Sequence, residues 1–395
     1  MRRLWLIFAQ TVTISLAVFF ALSLFRPEWM DELSQSAAPR PAGATVEPSR
    51  PAAPATLSFR EAAREALPSV VHIFTLQKPS KTRHPQIDDP LFRHFFGDDE
   101  NVDDAPRKSG LGSGVIVSPD GYVLTNHHVV EGAEQIEVTL DNGKTLKAQP
   151  VGNDPETDLA LLRLPRSGDG TSTFPAIALG NMDEVRVGDV TLAIGNPFGV
   201  GQTVTMGIVS ALGRSHLGIN TFENFIQTDA AINPGNSGGA LVDSHGRLIG
   251  ISTAIYSRSG GSLGIGFAIP ISTVRNVMEQ IVQNGSVTRG WIGVEAQEIT
   301  EELAESFGLP DIDGALIAGV QRGSPADKGG VKPGDVLLAV ADQPVKDPQD
   351  MLNLIAALKP GDTVAFTFRR KKRPVQLPIH IGKRPPVQEM EKERK

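Results

Sequence analysis

The chain has 395 residues, which is too long for one ordinary domain and fits two folded units with length left for linkers. Its hydrophobic content of 40% and charged content of 21% are typical of a globular protein, and its net charge of -7 gives no general reason to expect a nucleic-acid partner. Because the sequence contains no cysteine, disulfides, thiol catalysis and cysteine-based zinc sites are excluded.

The N-terminus carries an uncharged, mostly apolar run, residues 4–25, directly after Arg2 and Arg3. As a helix this run would be long enough to cross a bilayer. The paired arginines favour a cytoplasmic N-terminus, which places the rest of the chain on the other side of the membrane. We therefore predict a single-pass anchor in residues 1–29, with a cleavable signal peptide as the alternative. Residues 30–57 are rich in Pro and Ala and are predicted to be a flexible linker.

Residues 58–285 alternate short apolar runs with Gly, Asn and Asp, and end in a predicted amphipathic helix before Gly285. Many short strands with frequent turns favour antiparallel barrels or sandwiches. One acidic stretch, residues 77–108, interrupts this pattern and holds a cluster of phenylalanines. We predict that it is a long mobile loop.

Residues 288–383 are predicted to be a second, smaller domain of strands with an amphipathic helix around residues 348–358. The basic run at residues 369–373 lies between two alternating strands, which predicts a solvated hairpin tip. Residues 384–395 form a charged tail.

A glycine-rich segment surrounds Ser237, with the sequence GNSGG at residues 235–239. A serine hydroxyl becomes a nucleophile only with a nearby base and a place for negative charge. The glycines would let the backbone fold so tightly that the amides of Gly235 and Ser237 face one spot, as in an oxyanion hole. The other interpretation is a turn between strands whose serine is incidental.

The segment LTNHHVV, residues 124–130, offers two candidate bases, His127 and His128. Neighbouring side chains of an extended chain point to opposite sides, so only one of the two can face Ser237. The residues alone do not choose between them.

A third member should be a buried carboxylate that orients the imidazole. Asp158 is a candidate because it opens an apolar strand. Asp154 is a rival, but Pro155 follows it, and this dipeptide fits turn initiation better. Asp229 is predicted to be a structural loop residue.

Three segments in this order, LTNHHVV, TDLALLRL and AINPGNSGGALVDSHGRLIGI, resemble the HtrA family of trypsin-like serine proteases, and the resemblance runs over residues 58–382. It implies a mainly β fold: a chymotrypsin-like protease domain with a double six-stranded β-barrel, then an α+β PDZ domain. The family's motif Thr-Asn-x-His-Val selects His128 as the base. Asp158 matches the family's aspartate and Ser237 its nucleophile. The oxyanion hole that the resemblance implies consists of Gly235, Asn236 and Ser237.

The C-terminal domain also matches the family, since Trp291, Ile292, Gly293 and Val294 resemble the carboxylate-binding loop of its PDZ domains. Consecutive loop amides can capture the terminal carboxylate of a peptide while the peptide adds a strand to an open sheet edge. Arg214 matches the family's sensor arginine between the PDZ domain and the active site. The alternative for Arg214 is an exposed loop arginine.

An anchor, one protease domain and one PDZ domain together resemble the DegS type of this family. The resemblance implies a homotrimer on the bacterial inner membrane with its protease and PDZ domains in the periplasm. Its PDZ domain would bind C-terminal peptides of misfolded outer-membrane proteins, and its polypeptide substrate would be a transmembrane anti-sigma factor. No metal, other cofactor or nucleic acid is implied. The alternatives are a general degradative protease or chaperone, which the long loop favours, and a non-catalytic PDZ binding protein.

Overall fold

The structure is a computed structural model that describes residues 13–14, 58–77, 109–166, 173–196, 201–233, 235–255, 262–309 and 312–386. Contacts divide the chain into two units, Met1–Leu57 and Ser58–Lys395. The predicted linker, the acidic loop beyond Gln77 and most of the charged tail lie outside the described residues. So does the predicted membrane helix, except for Thr13 and Ile14, which are helical. No helix in the described part of the chain is long and apolar enough to cross a bilayer.

The first six strands of the described chain close into a barrel in the order β1-β2-β3-β6-β5-β4. Their bounds are β1 Val70–Gln77, β2 Ser109–Ile116, β3 Tyr122–Thr125, β4 Ala133–Thr139, β5 Thr145–Asp154 and β6 Leu159–Arg163. Apolar side chains such as Ile73, Val123 and Leu162 are buried together in one cluster. Closure leaves no unpaired sheet edge, so each short strand has a hydrogen-bonded neighbour on both sides.

The next six strands form a second closed barrel in the order β10-β11-β12-β9-β8-β7. They are β7 Val190–Gly195, β8 Thr203–Arg214, β9 Phe225–Thr228, β10 Ala240–Asp243, β11 Leu248–Ile255 and β12 Gly266–Pro270. A shared apolar cluster with Leu124 and Leu161 from the first barrel and Ile194 and Ile251 from the second joins the two barrels. The double six-stranded barrel is therefore confirmed.

Three helices accompany the barrels in the described residues: α1 Arg60–Ala66, α2 His127–Val130 and α3 Ile271–Asn284. Helix α3 buries Val274, Val277 and Ile281 against the cluster between the barrels, as the helical spacing of its apolar residues predicts. It ends at Gly285, whose left-handed φ of 74° suits a residue without a side chain. The one-turn helix α2 follows β3 and contacts β1, β2 and β6 of the first barrel.

The C-terminal region forms a sheet in the order β14-β15-β16-β18-β19, with β17 beside β16 and a separate pair of β13 and β20. Its elements are β13 Gly290–Trp291, β14 Val294–Gln297, α4 Glu301–Phe307, β15 Ala315–Val320, α5 Pro325–Lys328, β16 Val336–Val340, β17 Gln343–Pro344, α6 Pro348–Ala357, β18 Thr363–Arg370, β19 Arg373–His380 and β20 Gly382–Lys383. The core of this region includes Phe366, Phe368 and Ile355. Among the described residues β14 is an edge strand, so one of its sides is free to pair.

The basic run lies at the tip of the β18–β19 hairpin, where Lys371 and Lys372 take positive φ values of 47° and 66°. This part of the prediction is correct, but the run is not wholly solvated. Arg370 donates to both oxygens of the buried Asp335, at 2.7 and 2.6 Å. Arg370 therefore forms an ion pair with a buried carboxylate of its own domain.

Candidate active site and peptide-binding loop

Asp158 is a buried carboxylate directly before β6 with three hydrogen-bond donors around it. Its Oδ1 accepts from the backbone amide of His128 at 3.0 Å, and its Oδ2 lies 2.8 Å from His128 Nδ1. Thr253 Oγ1 donates to the same Oδ2 at 2.7 Å. Because these donors favour the charged form, they hold the side chain ionised in a buried place.

The pKa values of the pair follow from this geometry. Burial raises the pKa of the Asp158 carboxyl, but the charge and hydrogen bonds of His128, with a further bond from Thr253, lower it more, and the net shift is downward. Burial also lowers the pKa of the His128 imidazole, but the charge of Asp158, its hydrogen bond and a smaller effect of Glu131 raise the pKa above its ordinary value. In the neutral ring the proton lies on Nδ1, which leaves Nε2 as an acceptor.

The structure chooses between the two histidines. His127 Nδ1 lies 3.2 Å from Asn153 Nδ2, and His127 Nε2 lies 3.7 Å from Glu131. The neighbours of the His127 ring are thus Asn153 and Glu131, and not Asp158. The pair is on the helical turn α2 rather than on an extended segment, and adjacent side chains of a helix also point in different directions. His128 is thus the histidine that meets Asp158.

The Ser237 turn requires its glycines for steric reasons. A Cβ at Gly238 would overlap the Ser113 carbonyl, and one at Gly239 would overlap the Ile194 carbonyl. Ser113, from the first barrel, holds the turn by donating its amide to Ser237 O at 2.8 Å and its hydroxyl to Gly235 O at 2.5 Å. The turn is therefore fastened across the junction of the two barrels.

Two amides of this turn are available to a ligand. Asn236 donates its amide to Asn233 O at 3.0 Å, and Gly238 donates its amide to Ser252 O at 2.8 Å. The amides of Gly235 and Ser237 have no acceptor among the described residues. They are the two amides that the sequence predicts as an oxyanion hole.

The Ser237 hydroxyl donates to the carbonyl of Thr253 at 3.4 Å, and within the described residues no hydrogen bond joins it to His128. Thr253 therefore touches both Ser237 and Asp158, through its carbonyl and its hydroxyl. Thr253 is not among the residues that the sequence predicts for the site. The signal that could have found it is the polar pair Ser252 and Thr253 within the mostly apolar strand β11.

Asp154 precedes the turn of residues 155–158, which agrees with turn initiation, and it also has a distant partner that the sequence did not predict. It is only 3% exposed, and its two oxygens accept from Arg289 at 2.8 and 2.5 Å. Thr157 Oγ1 also donates to it, at 2.5 Å. Asp229, in contrast, accepts from the amide of Ile208 at 2.7 Å, which agrees with a structural loop residue.

The predicted carboxylate loop, Trp291 to Val294, runs from β13 into the edge strand β14. The carbonyl of Ile292 accepts from the amide of Ala326 at 2.8 Å, and that of Gly293 from Gln321 at 2.9 Å. In a trans peptide the N–H points opposite to the C=O, so the amides of Gly293 and Val294 point away from these partners. This arrangement presents consecutive donors at the end of a free sheet edge.

Arg214 lies at the end of β8, is exposed, and donates to Gln227 Oε1 at 2.9 Å. The residues after it, which we call the 215–224 loop, make contacts with the C-terminal region. Gln349 Nε2 donates to Thr221 O at 3.2 Å, and His216 Nε2 lies 3.7 Å from Asp347 Oδ1. Both partners are at the start of helix α6.

The fold and the site define a trypsin-like serine protease with a single PDZ domain. Residues 112–251 match the model of the trypsin-like peptidase domain, and residues 290–381 match that of the PDZ domain. The "Probable periplasmic serine endoprotease DegP-like" of Ectopseudomonas mendocina (strain ymp) is 44% identical over 343 residues, which are 83% of this chain and 71% of the relative. That of Chlamydia pneumoniae is 40% identical over 341 residues, 83% of this chain and 69% of the relative.

A solved structure described as "HtrA-type protease AlgW with decapeptide" shares 52% identity and a TM-score of 0.70, and the match covers 83% of this chain and 99% of that one. The chain belongs to the HtrA family of serine endoproteases. The membership confirms that this protein is a serine endoprotease whose substrates are polypeptides.

Proposed function

We propose that this chain is a membrane-anchored periplasmic endoprotease in which Ser237, His128 and Asp158 act as nucleophile, general base and orienting carboxylate. The observation that carries the assignment of these three residues is the pair of hydrogen bonds from His128 to the two oxygens of the buried Asp158 carboxylate. These bonds hold the imidazole in one orientation. The Thr253 hydroxyl donates to the same carboxylate, and the Thr253 carbonyl accepts from the Ser237 hydroxyl.

The proposed reaction begins when Ser237 Oγ leaves the Thr253 carbonyl, gives its proton to His128 Nε2 and attacks the carbonyl carbon of a peptide bond. The carbonyl oxygen becomes an oxyanion, which accepts hydrogen bonds from the amides of Gly235 and Ser237. Asn236 lies between these two residues in the same turn. Breakage of the C–N bond follows, and the leaving amine takes the proton from His128. Water then attacks the acyl-enzyme in the same way and releases the new carboxyl end.

A fluorophosphonate probe tests this assignment, because it reacts with a serine only when the base and the oxyanion hole are assembled. We expect the phosphonyl group on Ser237, located by mass spectrometry of the digested protein. The reaction is run with and without a C-terminal peptide, since a binding-competent state can be a minor one. Failure to label Ser237 under both conditions would refute the assignment.

The PDZ domain is proposed to bind the free C-termini of misfolded outer-membrane proteins. The outward amides of Gly293 and Val294 and the free edge of β14 support this, since they suit a carboxylate and an added strand. The neighbour AlgW was solved with a decapeptide, which supports peptide binding by this family.

The effect of Gly293→Ala tests this loop. We expect the variant to bind a decapeptide with a free C-terminus about tenfold more weakly, because a Cβ at φ 77° would overlap Ser324 and displace amides that bind a charge. Fluorescence anisotropy measures the affinity. Gly334→Ala is the control, since Gly334 has a similar φ of 88°, open space where a Cβ would stand and no place in the loop. Equal affinity for the free and the amidated peptide would contradict carboxylate capture.

The physiological role that we propose is envelope stress sensing: a homotrimer, anchored by residues 4–25, that cleaves a transmembrane anti-sigma factor when a misfolded protein occupies its PDZ domain. The relatives are described as periplasmic, which supports the compartment. The contacts of the 215–224 loop with the start of helix α6 support communication between the domains, because that helix belongs to the PDZ domain.

Arg214 is proposed to transmit this signal. We expect Arg214→Ala to lower peptide-stimulated cleavage about fivefold or more while basal cleavage changes less, because a coupling residue acts only when both sites are engaged. Initial rates on a quenched fluorescent substrate, with and without a C-terminal decapeptide, measure the two activities. Arg166→Ala removes another exposed arginine and should change neither. Equal losses in both activities would count against a sensor role.

A second candidate function is general degradation of unfolded periplasmic proteins. The relatives described as DegP-like favour it. Digestion of reduced, unfolded casein in the absence of any C-terminal peptide distinguishes the two functions. Rapid and complete digestion would support the degradative function, whereas slow digestion that a C-terminal peptide accelerates would support the sensor.

A further inference from the structure

We infer that Arg289 is a positioning residue for the protease reaction: by binding Asp154, it holds the turn of residues 154–158 and so keeps Asp158 against His128. The inference rests on the triad assigned under the proposed function. It concerns a residue outside both barrels, because Arg289 directly precedes β13 of the PDZ domain.

Arg289 belongs to a buried cluster of four charged side chains with an aromatic ring. Its guanidinium donates to Asp154 with both terminal nitrogens, at 2.8 and 2.5 Å, and one of them lies 3.4 Å from Glu156. Arg384, which follows β20, donates to Glu156 at 2.7 Å. The guanidinium carbons of both arginines lie over the Phe222 ring, 4.4 and 5.4 Å from its centroid. Two arginines therefore match two carboxylates.

The turn between Asp154 and Asp158 has weak support from its own backbone. The amides of Thr157 and Asp158 donate to Asp154 O and Pro155 O at 3.4 Å each, which is longer than an ordinary hydrogen bond. Asp158 has a φ of 58°, in the left-handed region that residues with a side chain seldom adopt. Such a conformation persists only where the surroundings enforce it. The arginines bind the other two carboxylates of this turn, those of the buried Asp154 and Glu156.

The two functions of the turn are thus on opposite ends of a five-residue segment. Asp154, at its first position, is fixed by Arg289, and Asp158, at its last, fixes His128. The side chains of Asp154 and Arg289 are 4% and 11% exposed, so without Arg289 the Asp154 carboxylate would be a buried charge that keeps the Thr157 hydroxyl as a donor but has lost its counter-charge. We therefore expect the turn to rearrange when the two hydrogen bonds from Arg289 to Asp154 are lost. Asp158 should move together with the turn.

The test compares Arg289→Lys and Asp154→Asn in the full chain with Arg370→Lys as the matched control. Arg370 also donates from two nitrogens to a buried carboxylate, that of Asp335. This pair is far from the triad along the chain. Lysine keeps the positive charge but cannot form the bidentate pair with a carboxylate. The substitution therefore separates the effect of positioning from the effect of net charge. Steady-state cleavage of a quenched fluorescent peptide is measured from pH 5 to 9 with a saturating C-terminal peptide.

We expect Arg289→Lys to lower kcat about tenfold with KM within twofold, because a misplaced triad affects the transition state more than binding. The acid limb of the kcat/KM profile should move to lower pH. Asp158 raises the pKa of His128, so a displaced carboxylate lets this pKa fall, and the base stays deprotonated at lower pH. Asp154→Asn should cause the same changes in kcat and in the acid limb. The double variant, Arg289→Lys with Asp154→Asn, should have a kcat no lower than that of either single variant. Arg370→Lys should match the wild type in both quantities.

The inference is overturned if Arg289→Lys keeps the wild-type kcat and acid limb. It is also overturned if kcat falls without any shift of the acid limb and the two substitutions add, since that pattern describes a general loss of stability. Thermal unfolding checks each variant, and if Arg289→Lys does not fold, the same readouts on Asp154→Asn decide. Fluorophosphonate labelling of the wild type keeps the two hypotheses apart: without labelling of Ser237 the proposed function fails, and with it only the role of Arg289 is in question.

Discussion

Replacing Ser237 with alanine is expected to abolish proteolysis, with a loss of roughly a millionfold in kcat. The substitution removes the oxygen that would form the acyl-enzyme, and no other hydroxyl occupies its position. Thr253 is next to Ser237, but its hydroxyl donates to Asp158 and is held away from a substrate. The measurement is cleavage of an unfolded protein substrate, followed by mass spectrometry of the products, with a C-terminal peptide present.

The control for this prediction is Ser244→Ala. Ser244 is an exposed serine in the turn between β10 and β11, so its loss should leave the rate unchanged. Circular dichroism of Ser237→Ala should match the wild type, because the backbone that forms the turn is fastened by Ser113. Normal turnover by a pure Ser237→Ala preparation would mean that the nucleophile is another residue.

Replacing Asp158 with asparagine is expected to lower kcat by about ten-thousandfold. An amide can donate to His128 Nδ1 and so place the ring proton on Nε2, where it blocks transfer from Ser237. The carboxylate charge is lost as well. Because that charge raises the pKa of His128 against the lowering effect of burial, this pKa should fall in the variant.

The pH profile gives this second prediction a sign. The base is active when neutral, so the wild type loses kcat/KM as pH falls through the raised pKa of His128, and the acid limb of Asp158→Asn should lie at lower pH. Asp229→Asn is the isosteric control, since an asparagine oxygen can still accept from the amide of Ile208. A wild-type profile in Asp158→Asn, or an equal loss in Asp229→Asn, would contradict the role of Asp158.

Much of the fold could be predicted because its signals are local. Strands such as β6 and β7 read as short apolar runs bounded by turn residues, and helix α3 reads from the spacing of Val274, Val277 and Ile281. The tight turn at Ser237 was predictable for the same reason, since Gly235 and Gly238 take positive φ values of 93° and 80°, which glycine adopts far more easily than other residues. Sterics of this kind act within a few residues.

The incorrect or incomplete predictions involve partners far apart in the chain. Asp154 looked like a turn residue because Pro155 follows it, yet its partner Arg289 is 135 positions away. Arg370 looked solvated because it belongs to a basic run, yet it binds Asp335, 35 positions away. A side chain's charge and size do not reveal which distant group it will meet, since that depends on how the strands are ordered.

The sequence by itself determined the kinds of chemistry that this protein can hold: a serine in a glycine turn, a histidine pair, several carboxylates, and no cysteine. The family resemblance selected His128 and Asp158, but from the residues alone His127 and Asp154 stayed open. Only the tertiary structure decided that His128 meets Asp158, that Thr253 joins Asp158 to Ser237, and that Arg289 of the PDZ segment grips Asp154. The physical reason is that hydrogen bonds act over about 3 Å, and the chain brings such groups together only when both barrels close and pack.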